Sequence, residues 1–469
     1  MGLTVLLTLG SGNPSLKSWH TEKLTTEFTA DMVDEVPTFE SYRQLEDRLF
    51  RQLEEKVYAN IGTGPEYALV RYSSGSSADP LQHNPNWNRS FELAADTPVG
   101  GVLLLHGMSD SPYSLRSLGQ ALNRHGYYVV GLRLPGHGTA PSGLKYISVR
   151  DMGAAVRLAM EHLALKVGGK PLHIIGYSTG ASLALNYSLD VIEENSGPEP
   201  AGLVLISPAI RIHPIAAFAA VKNRLSNMSG LGGLAWLDVL PEFDPYKYNS
   251  FATNAGDIVY RLTRSVSRRI ATLTRSDSKI KLPPILVFKS TVDATVSTDA
   301  VVDRLLNKLA PQRHELVLFD INRLALKSSL LVSDPGPLTE RLLADQNLPF
   351  AISLVSNKTP ESTEVVVRQK APLSSEVSTT PLNLAWPPGV ISLSHVALPF
   401  PPDDPLYGAN PPKDSKTVFL GQMAIKGERN LLRFPSDWLL RLRHNPFYDY
   451  LETRVIGWLD KADPQSATR

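Results

Sequence analysis

The chain has 469 residues, enough for roughly three domains of about 150 residues or for one large domain carrying insertions. Its 47 basic and 46 acidic residues nearly cancel, and no block of like charge interrupts it, which argues against nucleic acid or another polyanion as the main partner. It contains no cysteine, so disulfide frameworks, thiolate metal sites and cysteine nucleophiles are all excluded while the compartment stays open.

Leu3 to Leu9 is a short apolar run followed by Gly10, Ser11 and Gly12. It lacks a basic start and reads as a frayed terminus or as the end of an export or anchor segment, which makes a cytoplasmic location the default and a cell-envelope location the alternative. No run of about 18 apolar residues follows, so no complete membrane-spanning helix is expected. Residues 38–59 place Phe39, Leu45, Leu49 and Leu53 on one face of an amphipathic helix. A strand pair near 67–72 and 90–94 is expected to bracket a polar loop at about 73–89.

From residue 99 short apolar runs alternate with helical segments, the signature of a parallel sheet covered on both faces. Strands are expected at 101–105, 127–132, 172–175 and 203–206, with helices at 115–123, 151–165 and 181–192. The alternation then pauses. Residues 211–280 hold helical pieces at 215–224 and 257–273 and read as a lid, before a buried strand returns at 285–289. A helix at 300–309 and a strand at 315–319 follow. Strand-like 351–356 and 363–368 and a Ser/Thr/Pro-rich stretch at 371–388 read as a second insertion. Pro446 to Lys461 closes the chain as an amphipathic helix, with Phe447, Leu451, Val455 and Leu459 on one face.

Gly176-Tyr177-Ser178-Thr179-Gly180 is a G-x-S-x-G string. Alone it is weak, but it lies between an apolar strand and a helix, where a sharp turn would hold Ser178 out at the carboxyl end of the sheet. His106-Gly107-Met108 follows the 101–105 strand at the same edge, so the backbone N–H groups of Met108 and Thr179 could cradle an oxyanion, with His106 a structural strut of that loop. A serine hydroxyl needs a base, and the base an orienting carboxylate. Among the downstream histidines, His213 opens the lid, His314 stands at the wrong end of its strand, and His444 sits among arginines at a surface helix. His395 alone ends a strand-like run, 389–393, and enters an irregular loop. Asp293 follows the 285–290 strand at the right edge; Asp320 is its competitor, and Asp299 reads as a helix cap.

The run LLLHGMSDSPYSLRSLGQAL, then RLPGHGTAPSG, GYSTGASLAL, the D-x-x-V of Asp293 to Val296, and SHVALPF resembles the α/β-hydrolase superfamily. The branch it is most similar to is the bacterial carboxylesterase, monoacylglycerol lipase and lysophospholipase-like group, often placed with the serine aminopeptidases. The resemblance covers about residues 99–210 and 284–320, the His395 segment and the last helix. It implies Ser178 as nucleophile, Asp293 as acid, His395 as base, and Met108 and Thr179 as oxyanion donors, on a mostly parallel central sheet with helices on both faces. Two departures stand out: a long extension before the first strand, and the 102 positions separating Asp293 from His395.

Pro135-Gly136-His137-Gly138 is similar to a loop hallmark of the same group, and Asp110 and Ser111 are placed to hold the oxyanion loop by local side-chain bonds. Phe218, Leu231, Trp236, Leu237, Phe243 and Tyr246 would line an acyl pocket or form the lid's own core. No metal-ligand spacing, P-loop or dinucleotide fingerprint occurs, so no cofactor is implied. The organisation expected is an extension (1–65), a first core part (66–210), a lid (211–280), a second core part (281–320), a second insertion (321–388) and a closing core part with His395 (389–469). The function expected is ester cleavage through an acyl-enzyme on a small acyl or lipid-like substrate, with lipid-surface contact compatible and the oligomeric state open. An aminopeptidase, with Asp238, Glu242, Asp244 or Asp257 binding an ammonium, and an idle binding scaffold are the competing readings.

Overall fold

The computed structural model describes residues 15–210, 232–276, 279–293, 297–326, 330–413, 417–421 and 441–461. His213, Phe218, Leu231, Val296 and the helix expected at 215–224 lie outside the described residues. Ten strands form one sheet in the order β1-β3-β2-β4-β5-β8-β9-β10-β11-β12. They are β1 (Phe91–Leu93), β2 (Gly100–Leu105), β3 (Tyr127–Leu132), β4 (Leu172–Tyr177), β5 (Gly202–Ile206), β8 (Ile285–Ser290), β9 (Glu315–Phe319), β10 (Ala351–Asn357), β11 (Glu364–Lys370) and β12 (Val377–Ala385). β6 (Trp236–Asp238) and β7 (Phe251–Ala252) make a separate two-stranded ribbon. From β3 to β10 neighbouring strands are parallel, so their carboxyl ends share one edge, and the α/β-hydrolase fold follows from this order and alternation.

The central strands are apolar because both faces are covered. Leu103, Ile174, Leu205 and Val287 face a cluster supplied by α1 (Phe39–Lys56), α3 (Val149–Val167), α4 (Thr179–Glu194), α5 (Thr253–Ser276), α6 (Thr298–Arg304) and α7 (Gly336–Ala344). Leu104, Ile175, Val204 and Phe288 face α2 (Arg116–Arg124) and α8 (Tyr448–Asp460). The expected closing helix presents Leu451, Val455 and Leu459 to that second cluster, together with Trp458, whose ring lies where a Cβ on Gly202 would have to stand, 2.9 Å away.

Four expectations need correction. Residues 67–72 form turns rather than a strand, and β1 pairs antiparallel with β3 instead, because Phe91 packs over the space left by Gly131. Residues 351–385 do not stand apart as an insertion: β10 extends the parallel sheet and β11 and β12 continue it antiparallel. The Ser/Thr/Pro-rich stretch is largely the edge strand β12, whose exposed side chains gave no apolar face to read. Finally, 389–393 is not a strand; it is an extended segment tied by side chains, as described below. The region expected as a lid contributes α5 to the layer over the sheet, where Leu262, Val266 and Ile270 join the main core.

The extension is part of the same body. α1 begins at an N-cap Thr38 with a capping box to Ser41 and buries Phe39, Tyr42 and Leu45 in the main cluster. Its Leu49, Phe50 and Leu53 join Trp19, Tyr58 and Tyr72 in a smaller one. Ala30 N–H donates to Asp151 Oδ1 at 2.8 Å, so the extension also holds the capping box of α3.

Candidate active site

Ser178 occupies the turn between β4 and α4 with φ 54° and ψ −112°, a conformation that a residue with a side chain reaches only at a cost of about 1–3 kcal/mol. The flanking glycines let the turn exist. A Cβ on Gly180 would stand 2.0 Å from the Leu105 carbonyl oxygen, and one on Gly176 would stand 2.5 Å from Ala181 Cα. Ser178 N–H donates to the Ile206 carbonyl at 2.9 Å, tying the turn to the neighbouring strand.

His395 reaches the same point from a loop 217 positions away, with Nε2 3.1 Å from Ser178 Oγ and Nδ1 3.0 Å from Asp293 Oδ2. A carboxylate accepts only, so Nδ1 carries the proton and Nε2 is left to accept from the serine hydroxyl. Asp293 lies just beyond β8 and its side chain is fully buried. The His395 segment is held by side chains the sequence reading did not single out. Ser290 Oγ donates to the Leu393 carbonyl, Asn322 binds the carbonyls of Val390 and Ile391, and the Tyr177 hydroxyl donates to the His395 carbonyl. The usable signal was position: Ser290 ends β8 and Asn322 follows β9, both at the carboxyl edge.

The competitors lie elsewhere. His314 accepts from Ile285 N–H and bonds the Ala310 carbonyl at the amino end of β9. His444 is buried rather than on a surface helix, bonded to the Tyr407 carbonyl. Asp320 pairs with Arg323 at 3.0 Å. Asp299 does not cap its helix; Ser297 does, and Asp299 faces Arg341.

The loop after β2 carries Met108, buried beside the turn, and Thr179 opens α4, whose first-turn N–H groups point out of the helix toward the same edge. His106 is a strut, since Leu134 N–H donates to its Nε2 and its Nδ1–H donates to the Gly107 carbonyl, and burial pushes its pKa well below the ordinary value. His137 is fully buried 5.0 Å from the His106 ring, and burial pushes it down to about 4, so both rings are neutral. Asp110 holds the loop through Lys247 at 2.9 Å rather than through local backbone bonds, and Ser111 Oγ is buried without a hydrogen-bond partner. Tyr248 N–H donates to the carbonyl of Ser109, which has φ 65°, and Tyr246 stacks on Tyr113 with ring centroids 4.0 Å apart.

The residues weighed as acyl-pocket lining therefore divide. Trp236 is fully buried in the main core and Tyr246 packs behind the loop after β2, whereas Leu237 and Phe243 are half-buried. The carboxylates weighed for an ammonium site are engaged or turned out. Glu242 accepts from the N–H groups of Asn249 and Ser250, Asp244 from the Tyr407 hydroxyl, and Asp257 pairs with Arg261, while Asp238 is exposed. Among the described residues no group of three or more potential metal ligands converges.

Residues 96–322 match the family model Hydrolase_4, described as "Serine aminopeptidase, S33". A thermostable monoacylglycerol lipase from Bacillus sp. (strain H-257) is 33% identical over 124 residues, which is 26% of this chain and 46% of that relative; the match thus spans less than half of the relative's length. Among solved structures, a soluble variant of monoglyceride lipase from Saccharomyces cerevisiae superposes with a TM-score of 0.40 at 17% identity, over 49% of this chain and 82% of that one. The monoacylglycerol lipase of Paleococcus ferrophilus gives 0.38 at 20% identity, over 49% and 88%. The stretch 96–322 is thus similar to that family model, and it contains the strings at 103–122, 133–143 and 176–185 that carry the motif resemblance.

Proposed function

We propose that this α/β-hydrolase chain is a serine hydrolase that cleaves carboxylic esters of small acyl or lipid-like substrates through an acyl-enzyme. The observation that carries the reading is the hydrogen-bonded line Ser178 Oγ to His395 to Asp293, with spacings of 3.1 and 3.0 Å. In this mechanism His395 Nε2 takes the hydroxyl proton as Ser178 Oγ attacks the ester carbonyl, and the proton passes to the departing alcohol. Asp293 keeps Nδ1 protonated and offsets the charge of the imidazolium. The N–H groups of Met108 and Thr179 receive the oxyanion of the tetrahedral intermediate. Water then attacks the acyl-Ser178 with His395 as base, releasing the acid.

The engagement of Glu242, Asp244 and Asp257 inside the protein favours the ester reading over aminopeptidase action, because a free α-ammonium needs a carboxylate that is not already satisfied. The similarity to a Bacillus monoacylglycerol lipase points the same way. The test is a panel of p-nitrophenyl esters of increasing chain length beside aminoacyl anilides, with fluorophosphonate labelling of the wild type and of Ser178→Ala. The expected result is ester turnover and labelling, with loss of both by at least about a thousandfold in the variant. Folded wild-type protein that takes no label and turns over neither class would overturn the reading in favour of an idle scaffold.

A further inference from the structure

Strand β8 carries a lysine in an otherwise apolar run. Lys289 is 0% exposed, and its Nζ lies 3.3 Å from Oδ2 of Asp293, the oxygen that also faces His395 Nδ1. Strand alternation puts it there. Ile285 and Val287 face one apolar cluster and Leu286 and Phe288 the other, so Lys289 continues the Ile285 face just before the strand ends, opposite Leu318 of β9. An ammonium taken out of water costs several kcal/mol unless a close anion compensates it, so Lys289 at this position is tied to the carboxylate beside it.

Resting on the reading of Ser178, His395 and Asp293 as a triad, we infer that Lys289 is a positioning residue that sets the charge of the triad. It fixes Asp293 and cancels the carboxylate's charge in the resting enzyme, so that His395 remains a neutral base to lower pH than a lone buried carboxylate would allow. The electrostatics follow from counting charges. At rest the ammonium and carboxylate sum to zero. During attack the imidazolium adds one positive charge and the oxyanion one negative, so the site stays neutral throughout. Without the ammonium, the buried carboxylate faces His395 alone and favours imidazolium before substrate arrives.

Among the described residues, several groups face the imidazole. Ser178 and the Tyr177 ring face it from the β4–α4 turn, and Asp293 with Lys289 from β8. On the adjoining loops Asp320 is paired with Arg323 and Asp110 with Lys247.

The experiment is the pH profile of kcat/KM on a p-nitrophenyl ester for wild type, Lys289→Met and Lys289→Arg, with active sites counted by fluorophosphonate titration. The ammonium is a like charge to the imidazolium, and removing a nearby like charge favours the charged form, so the acid limb of Lys289→Met is expected to rise by about one unit or more while Lys289→Arg keeps the wild-type limb. A rise below about half a unit, or a fall, overturns the inference and leaves Lys289 a packing residue. Should Lys289→Met fail to fold, Lys289→Gln, which removes the charge but keeps a polar head, is read in the same way, and an acid limb that does not rise in it overturns the inference. Failure of the triad reading itself is a separate result, seen as wild type that takes no label.

Discussion

At the scale of single residues, cost and function meet at Ser178. Its positive φ is compatible with the fold only because Gly176 and Gly180 let backbone pass where a Cβ would collide, so the exposed hydroxyl is produced by packing rather than by local preference. The buried histidines form a second group with a shared consequence. Burial lowers His20, His137 and His314 each to about 4 from 6.5, and holds His106 well below its ordinary value. The unfolded chain therefore binds more protons than the native one between about pH 6.5 and 4, and native stability falls as pH falls through that window. At pH 5.5 each of the first three accounts for about 1 kcal/mol. Glu242, Asp244 and Asp320, raised by burial, act in the opposite sense as they take up protons. Urea midpoints at pH 7.5 and 5.5 check the balance: a drop at the lower pH is expected, and an unchanged or higher midpoint would show that the carboxylates outweigh the histidines.

At the scale of elements, the segment 242–250 acts as a brace on the loop after β2. Lys247 holds Asp110, Tyr248 holds the Ser109 carbonyl and Tyr246 backs Tyr113, so three consecutive residues of one segment fix a loop that contains a strained Ser109. If the Met108 amide serves as an oxyanion donor, loosening this brace should lower kcat without much change in KM. For Lys247→Ala we expect a fall of about tenfold in kcat, equal to ~1.4 kcal/mol, restored in large part by Lys247→Arg and accompanied by slower fluorophosphonate labelling. Equal kcat in the variant would show that the loop holds its shape unaided.

Elements also show where sequence was readable. The runs 127–132 and 315–319 match β3 and β9 residue for residue, because fully buried parallel strands are unbroken apolar runs between turn signals. Ser178 and Asp293 were legible as candidates from their positions after β4 and β8, whereas the candidate His395 was reached through a strand-like run that is an extended segment in the structure. The edge strand β12 was not, since its energetics lie in the backbone ladder to β11 and its side chains face water. Pro381 and the register shift opposite Val365 and Val366 interrupt that strand, as befits an exposed edge that would otherwise recruit further strands. Lys289 shows a different limit: a charge in an apolar run was visible, but only the coordinates pair it with Asp293.

At the scale of the whole molecule, the extension expected to stand in front of the α/β core is bound into it by apolar packing and by a buried arginine. Arg133, just after β3 and 1% exposed, donates to Glu46 of α1 at 2.6 Å and to Glu27 at 2.9 Å, and also reaches the His137 carbonyl. Glu27 accepts from Gly136 N–H, so the Pro135–Gly138 loop is clamped by a residue more than a hundred positions earlier. Because both ends of this network are desolvated, removing one charge leaves the other uncompensated, which costs about 3–5 kcal/mol. Arg133→Met should therefore lower the urea midpoint sharply, while Arg133→Met combined with Glu46→Gln should recover part of the loss because the stranded carboxylate is gone. In the wild type, the fluorescence of the six tryptophans includes Trp19 in the extension and Trp386 and Trp458 in the core, and with the network intact the chain should unfold in one transition. Two resolved transitions, with Arg133→Met moving only the first, would mean that the extension is a separate folding unit resting on the α/β core.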